Sequence, residues 1–143
     1  MTTVPAPADV VAGVVDFLRE RGYPARTQNA LDPEPGAIKV TRTGGRMVGK
    51  QDSAQVLIEV WHASQPECFD LAREIWGQFA VVSRNDQHAF AGLVVYEATP
   101  SIPLQYPDPR LPELDRHQFI VSMLVKWEEM NVPNSSTPGV PAR

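Results

Sequence analysis

The sequence predicts an α+β domain: a four-stranded, mainly antiparallel sheet with two helices packed on one face. Three observations lead there. Two segments repeat apolar residues at helical spacing. Four others read as strands bounded by Gly, Pro and polar residues. Their order is helix, strand, strand, helix, strand, strand, and strands adjacent in sequence usually pair antiparallel while amphipathic helices cover one sheet face.

The first helix starts after Asp9 and carries Val10, Val11, Val14, Val15, Phe17 and Leu18 on one stripe. Arg19 and Arg21 suit the negative end of the helix dipole, Gly22 supplies the stop and Pro24 blocks a restart. A turn-rich segment from Leu31 to Gly36 leads into a strand at 37–43, where Ile38 and Val40 alternate with Lys39 and Thr41. Gly44-Gly45 is expected to end that strand, with a polar loop over 46–53. The second strand, Gln55 to Trp61, should turn Val56, Ile58 and Val60 toward the helices and Leu57, Glu59 and Trp61 away.

Ser64-Gln65-Pro66-Glu67 has the spacing of a capping box, with Pro66 near the helix start, where its missing N–H costs nothing. Leu71, Ala72, Ile75, Trp76 and Phe79 form the apolar face of this second helix. A third strand is expected over Gly92 to Ala98 and the last over His117 to Glu128, with a long proline-rich loop between them at 99–114. Leu57, Ile120 and Leu124 are expected on the sheet face away from the helices, where exposed apolar surface calls for a partner. The domain organisation is a flexible N-terminal arm at 1–7, one domain over 8–130, and a Pro/Ser-rich tail at 131–143 that reads as disordered.

At 143 residues the chain suits one domain with a core of its own. Its 13 basic and 17 acidic residues give a net charge of -4, and no basic cluster suggests a face for nucleic-acid phosphates. Cys68 is the single cysteine, so neither an internal disulfide nor a multi-cysteine zinc site is available, and a reducing compartment fits. No signal peptide or membrane-length apolar run is evident, so synthesis in the cytosol is expected.

Catalytic chemistry finds little support. Cys68 sits in a first helical turn, where a thiol pKa falls, yet a small buried residue explains it better and no orienting group is marked. His62, His88 and His117 are far apart and form no HxH, HxxxH or HExxH pair, so no metal is expected. Gly44-Gly45 opens no helix and lacks the Gly-Lys-Ser/Thr of a phosphate loop. Glu128 with Glu129, and Asp108 with Glu113, read as solvated edges. No catalytic residue and no cofactor is assigned, and the chain reads as a binding protein.

The segment Val40-Thr41-Arg42-Thr43-Gly44-Gly45-Arg46, taken with its setting, carries a family likeness. The setting is the Val/Leu-striped first helix, a Pro35-Gly36 strand entry, an Asp52 to Trp61 strand of the form D-x-A-x-V-x-I-x-V-W, an Ala-containing helix at 66–80 and a proline-bearing loop before the closing strand. Over residues 8–128 the chain resembles the tail-terminator, or tail-completion, proteins of long non-contractile-tailed bacteriophages, notably those of actinobacterial hosts.

The resemblance implies a hexameric ring of identical subunits that caps the finished tail tube, stops its polymerisation and offers its other face to the head-completion or connector protein. It implies a place at the head–tail junction of the virion, reached after assembly in the host cytoplasm. The partners are further copies of the chain and the major tail tube protein, while genomic DNA passes through the ring without specific binding and no membrane is involved. By position, Arg42, Thr43, Gly44, Gly45 and Arg46 are the candidate subunit or tail-tube contact, set against a plain turn flanked by two exposed arginines. The alternatives are another neck component, such as a stopper protein, and a generic small protein-binding module.

Overall fold

The computed structural model describes residues 2–28, 33–84, 90 and 92–133. Leu31 and Asp32 of the expected turn, His88, and the tail from 134 onward lie outside the described residues. The chain is α+β. In order it forms β1 (Thr2–Ala6), α1 (Val10–Glu20), β2 (Ala25–Arg26), β3 (Ile38–Val48), β4 (Gln51–His62), α2 (Gln65–Arg84), β5 (Val95–Pro100), β6 (Leu104–Gln105), β7 (Asp115–Lys126) and β8 (Glu128–Val132).

The main sheet has six strands rather than four, ordered β2-β3-β4-β7-β5, with β6 on the same edge of β7 as β5. It is mostly antiparallel, and β2 pairs parallel with β3. The long β4–β7 ladder runs from Gln51↔Lys126 to His62↔Asp115 and fixes which residues share a face. Val56, Ile58 and Val60 of β4 and Phe119, Val121, Met123 and Val125 of β7 are buried together with the helices. A one-residue slip would turn all of them outward, so burial pins the register.

The helices form where the punctuation places them. Asp9 caps α1 by accepting from Ala12 N at 3.1 Å. At its other end Gly22 takes φ +88°, and Tyr23 N reaches Leu18 O at 3.0 Å, the six-to-one bond of a Schellman ending. Ser64 Oγ accepts from Glu67 N at 3.4 Å at the start of α2. The Glu67 carboxylate meets the Ser64 hydroxyl at 3.1 Å and lies 3.2 Å from His62 Nδ1, instead of closing the box on the backbone. Phe17 of α1 stacks on Phe90 with centroids 4.1 Å apart, and Phe79 of α2 sits 5.2 Å from Phe17, joining the two helices over the sheet.

Further expectations need correction. The strand does not end at Gly44-Gly45: β3 continues to Val48, and 46–53 is the far end of a β3–β4 hairpin. The glycine pair accommodates a bulge, seen as a register shift between Arg42 and Gly44. The N-terminal segment is also no loose arm. Thr2–Ala6 pairs antiparallel with Glu128–Val132, from Thr2↔Val132 to Ala6↔Glu128, as a separate two-stranded ribbon. Pro5 is compatible because a two-stranded ribbon leaves an edge where no N–H is needed. Asn131 and Val132, assigned to the tail, belong to this ribbon. Among the described residues, no helix is long and apolar enough to cross a membrane.

Candidate functional site

The Arg42–Arg46 segment divides at the bulge. Arg42 lies on the helix-facing side, and its guanidinium grips Asp52 through two bonds of 2.6 Å while Nε donates to Gly44 O at 3.1 Å. Asp52 is 1% exposed, so this is a buried carboxylate held by a fork-to-fork pair. Hydrogen bonding to Asp52 raises the already high pKa of Arg42, which keeps it charged. Arg42 is therefore not one of two free arginines flanking a turn. The extra residue of the bulge is Thr43, and Gly45, paired with Ala54 just beyond it, takes φ +125°. Thr43 and Arg46 face solvent, beside the exposed Met47 and Val48 of the hairpin end. Of the candidate contact residues, Thr43, Gly45 and Arg46 are exposed, and Met47 and Val48 of the 46–53 segment are exposed beside them.

A second surface comes from the proline-rich segment after β5. Ser101 N bonds Ile120 O at 2.8 Å, and Tyr106 N bonds Arg116 O at 2.8 Å, so the segment is laced to β7. Arg116 donates to Tyr106 O at 2.7 Å and to Glu59 Oε2 at 3.1 Å, lies 3.9 Å from Asp108 Oδ2, and spans the buried Trp61 ring. Asp108 is 5% exposed, which corrects its reading as a solvated edge. Leu57, Ile120 and Leu124 are only half-exposed on this side. The outward side chains are Ile102, Leu104 and Tyr106, with Tyr96 on the adjacent edge strand.

No family model matches the chain, and the search of curated proteins finds no significant relative.

One buried cluster joins residues far apart in sequence. Cys68, in the first turn of α2, is fully buried, and its Sγ lies 3.2 Å from Val60 O and 3.5 Å from Asp115 O. His117 Nδ1 lies 2.8 Å from Asp115 Oδ2. Burial, with the Asp115 charge second, pushes the Cys68 thiol up to about 12. A buried, protonated thiol is a poor nucleophile. Spacing rules missed the group because they look for local pairs. The available signal was Asp115-x-His117 on one strand face, and Asp115 falls between the loop expected at 99–114 and the strand expected from His117.

Chelator-treated native protein is expected to resist iodoacetamide at Cys68 at mildly alkaline pH and to react fully once denatured. Rapid native labelling by mass spectrometry would contradict the burial. The folded thiol keeps its proton to higher pH than the unfolded one, so its contribution to stability is complete below the unfolded pKa. That contribution is lost as pH climbs from about 9 toward about 12, and Cys68→Ala should flatten that decline.

Proposed function

We propose that this chain is the ring-forming structural subunit that caps a phage tail tube, as the resemblance of residues 8–128 to tail terminators implies. The observation that carries the reading is the presence of separate exposed extensions on one small domain. The β1–β8 ribbon forms its own sheet, makes few contacts with other elements and exposes Met130. The β3–β4 hairpin end exposes Met47 and Val48, and the segment after β5 exposes Ile102, Leu104 and Tyr106.

A closed ring of one chain needs head-to-tail contacts, hence two unlike patches per subunit. Capping a tube needs a third surface that binds the last ring without recruiting another. Among the described residues the ribbon is two-stranded, a form that a neighbour's strand could extend. The net charge of -4 fits a channel that repels passing DNA. In this reading the partners are further copies in a hexamer, the tail tube protein and the head-completion or connector protein, and the location is the head–tail junction.

The test is negative-stain microscopy with mass measurement on the chain mixed with its tail tube protein. Rings, or tubes capped at one end and held to a fixed length, are expected. Removing residues 2–6 should leave the domain folded and abolish ring formation. Tube growth unchanged by excess wild-type protein would overturn the reading.

A further inference from the structure

We propose that Cys68, Asp115 and His117 form a site able to take up a divalent transition-metal ion such as zinc. One donor atom from each residue lies within 4.8 Å of the others. A second observation points to a cation. His117 is 4% exposed, and neither its Nδ1 nor Asp115 Oδ2 makes a hydrogen bond among the described residues, although the two stand only 2.8 Å apart. Two buried lone-pair atoms at that distance repel unless a proton or a metal ion is shared by them, and the sulfur of Cys68 is within reach of the same point.

The donor set of sulfur, imidazole nitrogen and carboxylate oxygen is one that zinc accepts. Tetrahedral zinc with bonds of about 2.0–2.3 Å holds its ligand atoms roughly 3.5 Å apart, so small side-chain rotations close the site. A supporting contact is in place. Gln105 Nε2 donates to Asp115 Oδ1 at 2.6 Å, which orients the carboxylate and leaves Oδ2 toward the histidine. Asp115 is the least buried of the three and gives the ion its entry and a fourth position for water. On binding, the Cys68 S–H bond breaks, a sulfur–metal bond forms and the proton passes to solvent, with no change in oxidation state. The metal would tie the start of α2 to β7. Through Gln105 it would also fix the segment bearing Ile102, Leu104 and Tyr106.

Cobalt(II) is the probe. The chelator-treated full chain should bind one equivalent, with tetrahedral visible bands and a near-ultraviolet sulfur-to-cobalt charge-transfer band that zinc abolishes. Cys68→Ala should remove the charge-transfer band, and His117→Gln should weaken binding at least about tenfold. His62→Gln, at a histidine already engaged by Glu67, should leave both unchanged. A second readout does not depend on variants folding: equimolar zinc should raise the wild-type melting temperature. No charge-transfer band with wild-type protein would show that a proton and not a metal joins Asp115 to His117, and a band that persists in Cys68→Ala would place the ion elsewhere and overturn the site. An unchanged wild-type melting temperature would overturn the proposal equally.

Discussion

Gly45→Ala is expected to cost about 3 kcal/mol, whereas Gly44→Ala next to it should cost less than about 1 kcal/mol. The two glycines look alike in sequence and differ in what a β-carbon meets. At Gly45 it overlaps the Ser53 carbonyl oxygen and comes within 2.9 Å of Ala54 Cα, both on the partner strand. Backbone cannot swing aside as a side-chain end can. The backbone itself adds strain, because φ +125° is a conformation that L side chains rarely adopt. At Gly44 the nearest atom is Gln55 Oε1 at 3.9 Å, ordinary contact with a flexible group. Urea denaturation of the two variants measures the difference. Hydrogen exchange would locate it, since the amides beyond the bulge should lose protection first. Equal stability of the two variants would mean that the bulge is not built as described.

The same glycine pair marks the limit of what the sequence made legible. Both helices were visible because each has a stripe and punctuation: Asp9 and Gly22 around Val10–Leu18, Ser64 and Glu67 before Leu71–Phe79. The centres of β3, β4 and β7 were visible because Ile38, Val40, Val56, Ile58, Phe119 and Val121 alternate with more exposed neighbours. Gly44-Gly45 was misread because a turn and a bulge have the same composition, and only the register of the partner strand separates them. The terminal ribbon escaped because its pairs, such as Val4↔Met130, join the two ends of the described chain and bury too little to leave a pattern. The Cys68–Asp115–His117 group escaped for a related reason. Its members come from two elements and meet only once α2 is laid on β7.

Reversing the charge at Arg42 should destabilise the domain by about 3 kcal/mol, while Arg46→Glu should change stability by less than about 0.5 kcal/mol. Arg42 compensates a carboxylate that is 1% exposed, and its removal leaves that charge buried without a partner. Glutamate adds a like charge against it. The arginine side chain is 32% exposed, which holds the effect to the lower end of the range for broken buried pairs. The pair is expected to contribute more to register than to net stability, because replacing both charges with apolar groups is often neutral. Arg42→Met should therefore be strongly destabilising alone, and adding Asp52→Leu should recover most of the loss in denaturant titrations. No recovery would place the effect elsewhere than in the uncompensated charge. A test of assembly must accordingly use Arg46 and spare Arg42. A folded Arg46→Glu chain that no longer forms rings would assign the hairpin end to a subunit contact, whereas failure of Arg42→Glu would report only an unpaired Asp52.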